Sequence, residues 1–553
     1  MMPAGSQRRR EGHSPMELKK PTCKRSGEKN VYRRWSDGLF SALANLAAQR
    51  PGRRTTNTPL STKLTRGKFL KAVGACVAWI ALTNTPGSEP VGRVPNVRSF
   101  RSRPDLHPPT IDIVTQAHHT APGYIFVAPK EGLGQNGPLI LDNSGEPVWF
   151  RPLQSWTGRA MDFKVQRYRG EPVLTFFEGV RKGGYGLGEY VILDSSYHEI
   201  RRVRAGNGYQ GDHHEFLITP EDTALITIFN PVPADLSSVG GPADGEVLDG
   251  VVQEIDLETE EVIFEWHSLQ HVGLDESYRK PPKDSRWPFD FLHTGKPFDY
   301  FHINSIDVDH DSNLLISARW TFTIYKIDRR SGEVLWRLGG KNSDFQLGPG
   351  TKTRYQHDAR RQPDGTISVF DNGGVNIDKQ SYGLVLDTSD MSATLVRDYT
   401  HPDKWRAASQ GNMQVLPNGN VFIGWGSESV FSEFGRDGEL LFDPRFPPLV
   451  ESYRAFRFPW SGEPTDDPAV VAERWSDDEV TLYASWNGAT EVASWQVLVG
   501  PNPGRLERVG TGVPREGFET EIRVRTEEPY VGVEARDGSG RVLGTSRAAR
   551  VSS

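Results

Sequence analysis

Two short motifs alternate along this chain after residue 120, and they restrict its possible folds more than any other feature. The first motif is an apolar residue, an Asp, a short polar turn that leads to Glu, and an apolar segment. Clear copies begin at Leu141, Leu193, Ile255 and Ile327, and weaker copies begin at Leu386 and Phe434. The pattern is typical of a β-hairpin, in which one strand ends at the Asp and an apolar strand follows the turn.

The second motif lies between copies of the first and also predicts a hairpin. It combines Pro, Asp, Asn or Gly with a following apolar strand, and its copies begin at Thr219, Asp309, Gln362 and Leu416. Asp-Gly and Asn-Gly occupy the turns of the last two copies, where a tight reversal favours them. Two hairpins make one four-stranded sheet, so six units predict an all-β fold, a six-bladed β-propeller over residues 115–464. An array of β-sandwiches, or a propeller of five or seven blades, is the alternative.

The pattern changes after about residue 465. Residues 480–499 contain two alternating strands around an Asn-Gly turn, and further alternation follows at residues 518–524 and 530–535. This predicts a small β-sandwich of the fibronectin type III kind over residues 465–553. The segment has no cluster of chemically active residues, which favours a stabilising or carbohydrate-facing role.

Charge separates the N-terminal region from the rest of the chain. Residues 1–71 have a net charge of +13, and the remaining residues have a net charge of −19. Such an acidic body argues against a nucleic-acid partner, because phosphate binding needs a basic face.

The basic region leads into the apolar run of residues 72–82, which is too short to span a membrane. We therefore expect a signal peptide at residues 61–85, preceded by a disordered or over-extended start (1–60) and followed by a Pro-rich linker (86–114). This predicts export to the medium or the cell surface. The segment resembles a twin-arginine signal in which Gly67 replaces the second arginine. A basic tail with an apolar patch is the alternative interpretation.

Both cysteines, Cys23 and Cys76, lie in this N-terminal region. The predicted folded body therefore has no disulfide, no thiol nucleophile and no cysteine-based metal site. We predict no metal and no cofactor. Lipid attachment at Cys76 stays open.

Polar residues interrupt three segments that otherwise resemble strands and turns. His302 and Asn304 lie in residues 300–306, Arg319 follows residues 315–318, and His357 lies in residues 355–360. Such groups are unfavourable to bury without partners, so their positions predict partners or a ligand. A histidine beside fixed Arg and Asn donors can attack a centre whose developing negative charge those donors stabilise.

The order of several motifs resembles the arylsulfotransferase (aryl-sulfate sulfotransferase) family, and most of all its fungal and actinobacterial branch. The matching segments cover residues 120–460: 123–127, 213–216, 301–306, 316–319, 336–340, 356–360 and 369–373. The resemblance implies a six-bladed propeller with its active site in the central funnel. It also implies transfer of a sulfuryl group from an aryl sulfate to a phenol, by a ping-pong reaction through a sulfohistidine and without a nucleotide sulfate donor. The expected partners are therefore a small aryl sulfate and a phenolic acceptor.

The resemblance also assigns roles to individual residues. It implies that His357 is the nucleophile, that His302 and Asn304 contact the sulfate, and that the Arg319 guanidinium clamps it. His214 corresponds to a further histidine of the funnel, although the adjacent His213 is an alternative. Arg319 can hold two sulfate oxygens and keep the pKa of the nucleophile low, while His302 or His214 could supply a proton to the leaving phenolate.

Three further positions bear on the residue roles that the resemblance implies. Asp358 and Arg360 flank the proposed nucleophile, and we expect them to bind substrate or orient His357, or simply to pair with each other. Trp320 follows Arg319 at a position that tends to be polar in the family's characterised bacterial enzymes.

Two other functions fit a propeller. One is an inactive scaffold that only binds a ligand or partner. The other is a hydrolase or oxidoreductase that uses a metal or quinone, although the tryptophan-docking repeats of a quinoprotein are absent from the sequence.

Overall fold

The computed structural model describes residues 96–154, 158–282, 297–373 and 380–552. The chain separates into two units, residues 1–83 and 84–553, and every described residue belongs to the second unit. The predicted start and signal segment lie outside the described residues. No helix within the described ranges is long and apolar enough to cross a membrane.

Strands account for nearly all regular structure in these ranges. The strands up to residue 267 are β1 (Asp112–Thr115), β2 (Tyr124–Val127), β3 (Leu139–Leu141), β4 (Pro147–Phe150), β5 (Arg159–Tyr168), β6 (Glu171–Lys182), β7 (Tyr185–Leu193), β8 (Glu199–Val203), β9 (Phe216–Ile218), β10 (Thr223–Ala234), β11 (Gly245–Asp256) and β12 (Val262–His267). The next group is β13 (Ile303–Val308), β14 (Leu314–Ala318), β15 (Thr323–Ile327), β16 (Val334–Gly339), β17 (Gln346–Leu347), β18 (His357–Arg361), β19 (Ile367–Asp371), β20 (Tyr382–Asp387), β21 (Ser392–Tyr399), β22 (Asn412–Val415), β23 (Val421–Gly424), β24 (Phe431–Phe434), β25 (Leu440–Arg445) and β26 (Ala455–Phe458).

The C-terminal strands are β27 (Ala469–Arg474), β28 (Glu479–Ser485), β29 (Ser494–Asn502), β30 (Arg505–Pro514), β31 (Glu519–Arg525), β32 (Tyr530–Arg536), β33 (Val542–Thr545) and β34 (Ala549–Arg550). Helix in the described residues consists of α1 (Ser268–His271) and 3-10 turns at Ser237–Val239, Leu274–Glu276 and Ser389–Met391. The predicted all-β class is therefore confirmed.

The described strands pair into eight sheets. Sheet 1 has the order β26-β2-β3-β4; sheets 2, 3 and 4 contain β5–β8, β9–β12 and β13–β16; sheet 5 contains β18–β21 with β17 added on β21; and sheet 6 contains β22–β25 with β1 added on β25. Sheet 7 contains β27, β28 and β31, and sheet 8 has the order β30-β29-β32-β33, with β34 on β32. Sheet 1 joins distant parts of the chain, because β26 pairs antiparallel with β2.

Both predicted hairpin motifs are confirmed. The first motif forms the hairpin of the last two strands in each of sheets 1 to 6, and the second forms the hairpin of the first two strands in sheets 3 to 6. The Asp of the first motif closes the turn, since Asp142 Oδ1 accepts the backbone N–H groups of Ser144 and Glu146. Asp194, Asp256, Asp328 and Asp387 accept turn N–H groups in the same way. A carboxylate that supplies a turn acceptor explains why Asp recurs at this position.

The first strands of the six sheets contact one another along a closed path. β26 contacts β5, β5 contacts β9, β13 contacts β18, β18 contacts β22, and β22 contacts β26 again, while β13 reaches sheet 3 through β10. Residues at the beginning of these strands are therefore close together, although they are distant in sequence. Central strands such as β3 and β14 are buried along their whole length, as in sheets that are covered on both faces.

The described part of the predicted linker does not have the extended structure that we expected. From residue 96 onward it packs on the C-terminal sheets, with Phe100 and Phe518 rings 4.3 Å apart. The backbone N–H of Ser102 donates to Glu519 Oε2 at 2.6 Å. Apolar side chains and the Glu519 carboxylate stabilise this segment, so its described part is packed and not an extended spacer.

Candidate active site

Three buried histidines lie at the beginning of strands in three different sheets. His214 precedes β9, His302 directly precedes β13, and His357 is the first residue of β18. The imidazole rings of His214 and His302 lie 4.8 Å apart between centroids. Arg319, which directly follows β14, lies close enough to His357 to lower its pKa by charge repulsion. We call His214, His302, Arg319 and His357 the histidine cluster.

His214 is held by the carboxylate of Asp212. The Nδ1–H of His214 donates to Asp212 Oδ2 at 2.5 Å, and the backbone N–H of His214 donates to the same oxygen at 2.9 Å. A carboxylate only accepts hydrogen bonds, which assigns the proton to Nδ1 and leaves a lone pair on Nε2. Burial lowers the pKa of His214 to about 3, although Asp212 opposes this shift. His214 is therefore neutral at neutral pH.

The adjacent His213 has no comparable hydrogen bond. Its Nδ1 lies 3.3 Å from Asp212 Oδ1, but it makes no hydrogen bond within the described residues. Its ring stacks on His214 with centroids 4.1 Å apart. Of the two candidates, His214 is thus the one with a fixed tautomer and the one that lies next to His302.

His302 forms a second histidine–carboxylate pair. Its Nδ1–H donates to Asp299 Oδ2 at 2.6 Å, and the same oxygen accepts the indole N–H of Trp320 at 3.0 Å. The backbone of His302 has φ 57°, a left-handed conformation that non-glycine residues adopt only rarely. Such conformations concentrate where surrounding structure holds a functional side chain in place.

His357 is oriented by two acceptors on one side of its ring. Nδ1 lies 2.9 Å from the carbonyl oxygen of Tyr355 and 2.6 Å from Asn372 Oδ1. Asn372 itself is fixed, because its Nδ2 donates to the carbonyl oxygens of Ala407 and Gln410. Both partners of Nδ1 are acceptors, so Nδ1 carries the proton and Nε2 keeps its lone pair.

The lone pair of His357 faces a backbone amide. The N–H of Gln410 donates to His357 Nε2 at 3.3 Å, a long and weak hydrogen bond. Burial, reinforced by the charge of Arg319, holds the pKa of His357 well below its usual range. A neutral imidazole with an accessible lone pair is a competent nucleophile at neutral pH.

Arg319 is a half-buried cation whose side chain lacks a full set of partners among the described residues. One terminal nitrogen donates to the carbonyl oxygen of Ala408 at 2.7 Å, whereas Nε has no acceptor among the described residues. The guanidinium carbon lies 4.6 Å from the ring centroid of Trp320 and 5.3 Å from that of Tyr355. Burial lowers the pKa of Arg319 to about 10, so the side chain remains charged at neutral pH. A buried guanidinium N–H without an acceptor, such as this Nε–H, is a binding position for an oxyanion.

Asn304 lies beside this cluster, and its side chain makes one hydrogen bond within the described residues. Its Nδ2 donates to the backbone carbonyl oxygen of Gln356 at 2.7 Å, while the backbone carbonyl oxygen of Asn304 accepts from Arg454 at 2.9 Å. Oδ1 is buried without a donor within the described residues. The second hydrogen of Nδ2 is the group that Asn304 can offer to an anion.

Asp358 and Arg360 belong to a different buried group, which we call the ion network. Its members are joined by ion pairs and hydrogen bonds: Asp162, Lys164, Glu215, Asp358, Arg360 and Arg454. Arg360 donates to Asp358 Oδ1 at 2.7 Å and also pairs with Glu215. These contacts favour the pairing alternative, and substrate binding by Asp358 or Arg360 stays a prediction.

The ion network is balanced in charge and connects the sheets. Three carboxylates face three cations, and Lys164 Nζ lies 2.7 Å from both Asp162 Oδ2 and Glu215 Oε1. Burial alone would raise the pKa of Glu215, but Arg360, Arg454 and Lys164 bring it well below its usual range. Sheets 1, 2, 3 and 5 supply the members from their first strand or the residues just before it. Sheet 4 contributes the backbone carbonyl oxygens of Asn304 and Ile306, which accept from Arg454 and Arg360, and the Met413 N–H of sheet 6 donates to Asp358 Oδ2.

The family model described as Arylsulfotransferase (ASST) matches residues 164–447, which is half of the chain and includes every residue of the histidine cluster. The chain belongs to the arylsulfotransferase family. The family predicted from the sequence motifs is therefore confirmed, and no curated protein matches the chain.

The chain also shows similarity to solved structures, but at low sequence identity and low TM-score. A protein of unknown function from Bacteroides caccae is 12% identical with a TM-score of 0.37, covering 61% of this chain and 98% of its own. A streptogramin B lyase is 9% identical with a TM-score of 0.32, covering 60% of this chain and 86% of its own. An alpha-L-arabinanase from Penicillium chrysogenum, complexed with arabinobiose, is 12% identical with a TM-score of 0.31, covering 59% of this chain and 89% of its own. At this similarity none of them indicates a substrate for this arylsulfotransferase.

One group of side chains in this arylsulfotransferase has the composition of a metal site. Ligand atoms of Asp212, His213 and His214 lie within 4.8 Å of one another. Asp212, however, already accepts hydrogen bonds from the N–H of Gly186, the backbone and ring of His214, and the hydroxyl of Thr227. Its carboxylate therefore acts as a hydrogen-bond acceptor that positions His214.

The structure adds four positioning groups that the sequence analysis did not identify. They are Asp212, Asp299, Asn372 and the backbone amide of Gln410. Asp212 and Asp299 each lie within three residues of a cluster histidine, and Asn372 lies in one of the family motifs, so each had a signal in the sequence. Gln410 had none, because its contribution comes from the backbone of a loop.

Proposed function

We propose that this arylsulfotransferase transfers a sulfuryl group from an aryl sulfate ester to a phenol through a sulfohistidine at His357. One observation carries the proposal: buried His357, neutral at Nε2, lies near Arg319, whose buried Nε–H has no acceptor among the described residues. A nucleophile and an oxyanion donor are the two groups that sulfuryl transfer needs. No nucleotide sulfate donor and no cofactor enters this scheme.

In the first half-reaction, His357 Nε2 attacks the sulfur of the aryl sulfate. The new N–S bond forms as the S–O bond to the aryl group breaks, and the electron pair of that bond leaves with the phenolate. Arg319 binds the sulfuryl oxygens through its free N–H groups, and the spare N–H of Asn304 is placed to assist. The Gln410 N–H, which faces Nε2 in the resting protein, turns to a sulfuryl oxygen once Nε2 is bonded to sulfur.

In the second half-reaction, the acceptor phenol attacks the sulfur and regenerates neutral His357. A base must take the phenol proton, and we assign this role to His302, whose Nδ1–H is fixed on Asp299. The same proton passes from His302 to the phenolate that leaves in the next cycle, so protons balance over a turnover. His214, with its pKa lowered to about 3, is a weak base and does not supply a proton at neutral pH.

We further propose that sheets 1 to 6 are the blades of one six-bladed propeller, residues 115–464, and that sheets 7 and 8 form a C-terminal sandwich, residues 465–553. The closed path of contacts between first strands supports the propeller. The pairing of β26 with β2 would close the ring between its two chain ends. Export of the protein, predicted from its N-terminal region, stays part of this proposal.

The test is capture of the covalent intermediate. Purified protein is incubated with 4-nitrophenyl sulfate without acceptor, and its intact mass is measured together with the release of 4-nitrophenolate. We expect one SO₃ group per chain and a stoichiometric burst of phenolate, both absent in His357→Asn. His267→Asn, which removes a histidine outside the cluster, should keep both signals.

Two results would contradict the proposal. A steady phenolate release without a burst and without a mass increase in the wild-type protein would argue against a sulfohistidine. Binding of aryl sulfate without any release would favour the inactive scaffold instead.

A further inference from the structure

A continuous row of aromatic side chains leads from the histidine cluster to the surface. The ring of His302 meets Trp320 edge-on at 6.0 Å, Trp320 meets Tyr355 at 5.5 Å, and Tyr355 meets Phe322 at 4.7 Å. Phe322 stacks on Tyr278 at 4.2 Å, and Tyr278 is 47% exposed. We call Trp320, Tyr355, Phe322 and Tyr278 the aromatic strip.

The backbone beneath this strip is held in unusual conformations. Phe322 and Tyr355 both have φ 56°, and His302, at the inner end, has φ 57°. Bulky residues rarely adopt this left-handed region, and its repeated use marks a site that the surrounding fold enforces. The strip is further fixed by the backbone, since the N–H of Tyr278 donates to the carbonyl oxygen of Trp320 at 2.8 Å.

Cations line the strip with few opposing charges. The guanidinium carbon of Arg279 lies 4.8 Å from the ring centroid of Trp320, and that of Arg319 lies 4.6 Å from the same centroid. Lys341 Nζ lies 5.0 Å from the Tyr278 ring centroid and donates to the backbone carbonyl oxygens of residues 275 and 277. Asp299 is the carboxylate that the described residues place against these cations.

The Arg279 side chain makes no hydrogen bond to the residues that the structure describes. Its terminal nitrogen lies 3.5 Å from Asp299 Oδ2 without a hydrogen bond, and that oxygen already accepts from His302 and Trp320. The Arg279 side chain is 40% exposed, so a solute can reach it. The guanidinium carbons of Arg279 and Arg319 lie 4.8 Å and 4.6 Å from the centroid of the same indole ring, so both cations are near enough for one small aromatic molecule with two anionic groups.

We propose that the aromatic strip is the subsite for the aryl group and that Arg279 selects substrates carrying a second anionic group on that ring. The inference rests on the proposed function, in which Arg319 takes the sulfuryl group at the inner end of the strip. The substrate class is then an aromatic ring with a sulfate ester or phenol at one end and a carboxylate or sulfonate at the other. Aromatic faces and a planar cation fork recognise such a molecule together.

The turnover test compares two acceptors that differ only in charge. With 4-nitrophenyl sulfate as donor, kcat/KM is measured for 4-hydroxyphenylacetate and for its uncharged amide. We expect the wild-type protein to prefer the carboxylate about fivefold to tenfold, a range suited to a partly exposed ion pair with charge-assisted hydrogen bonds. Arg279→Gln should remove this preference and bring the ratio of the two kcat/KM values to about one.

Arg330→Gln is the matched control, because Arg330 is an exposed arginine on the distant turn between β15 and β16. It should keep the preference for the carboxylate. Equal rates for the two acceptors in the wild-type protein, or an equal loss for both in Arg279→Gln, would overturn the assignment of Arg279.

A binding experiment separates this inference from the proposed function. 4-Carboxybenzenesulfonate and 4-carbamoylbenzenesulfonate cannot transfer their sulfonate, so their affinities do not depend on catalysis. Calorimetry on the wild-type protein should show tighter binding of the carboxylate by about fivefold to tenfold, lost in Arg279→Gln. If the protein has no turnover but shows this difference, the subsite stands and the transfer reaction fails; equal affinities would reject the subsite.

Discussion

The histidine cluster and the ion network are both buried and both polar, yet their chemistry is opposite. In the ion network three carboxylates meet three cations. One of these cations, Arg454, contacts all three carboxylates, those of Asp162, Glu215 and Asp358. In the histidine cluster His214 and His357 are neutral because their pKa values are lowered, and the cation Arg319 retains an unmet Nε–H among the described residues. One region is complete without a ligand, and the other is not.

This difference shows how neighbouring buried polar groups can serve two purposes in one protein. A buried charge is tolerated when its partners and hydrogen bonds are all in place, and losing one partner leaves an uncompensated charge. Groups with unmet hydrogen bonds are unfavourable in the free protein, and a bound oxyanion relieves them. We therefore expect substitutions in the ion network to change stability, and substitutions in the histidine cluster to change catalysis.

The largest expected effect is on folding, for Glu215→Ala. The substitution leaves Lys164, Arg360 and Arg454 with two carboxylates for three buried cations. We expect the free energy of unfolding to fall by about 3–5 kcal/mol, measured by urea denaturation. A fall below about 1 kcal/mol would mean that the network is not what holds the sheets together.

The counterpart in the histidine cluster is Arg319→Gln. Loss of the oxyanion donor should lower kcat for 4-nitrophenyl sulfate by about 10²–10³-fold. The free energy of unfolding should stay the same or rise, because a desolvated cation without a carboxylate partner is removed. Arg330→Gln serves as the control. If Arg319→Gln were destabilised but kept its kcat, Arg319 would contribute to stability and not to catalysis, which would contradict the prediction.

The third prediction concerns pH and His214. The folded protein keeps His214 neutral, with a pKa of about 3, whereas the unfolded chain binds a proton below about pH 6.5. The unfolded state therefore binds more protons, and stability is lost as pH falls from about 6.5 toward 3. Between pH 7 and pH 5 the wild-type protein should lose about 2 kcal/mol more than His214→Gln. Parallel pH profiles of the two proteins would show that His214 is protonated when folded.

The smallest expected effect is for Gln410→Gly. The Gln410 backbone has φ 67°, and its side chain donates to Glu451 Oε2 at 3.2 Å, which anchors the loop facing His357 and Arg319. Glycine relieves the backbone strain but removes the anchor, so we expect kcat to fall by on the order of tenfold with no loss of stability.

Ser312→Gly is the matched control, because Ser312 has the same φ of 67° in an exposed turn. It should keep kcat. An unchanged kcat in Gln410→Gly would show that the loop does not position the nucleophile.

The repeated hairpins followed from local chemistry and could be predicted residue by residue. An Asp at a strand end that accepts turn N–H groups is encoded within a few neighbouring positions, as at Asp142 and Asp194. The linker prediction was less successful, since a Pro-rich segment does not reveal that Phe100 packs on Phe518. Burial of that ring depends on a partner more than 400 residues away.

The sequence by itself determined the all-β class, the hairpin units and the family, and it predicted four site residues that the structure brings together: His214, His302, Arg319 and His357. It could not separate Asp358 and Arg360, which stand beside His357 in the chain, from the groups that face its lone pair. Only the tertiary structure decided that these two residues join the ion network, while Asp299, Asn372 and the Gln410 amide orient the histidine cluster. The physical reason is that strand neighbours point to opposite sides, whereas groups on different sheets meet where the first strands converge.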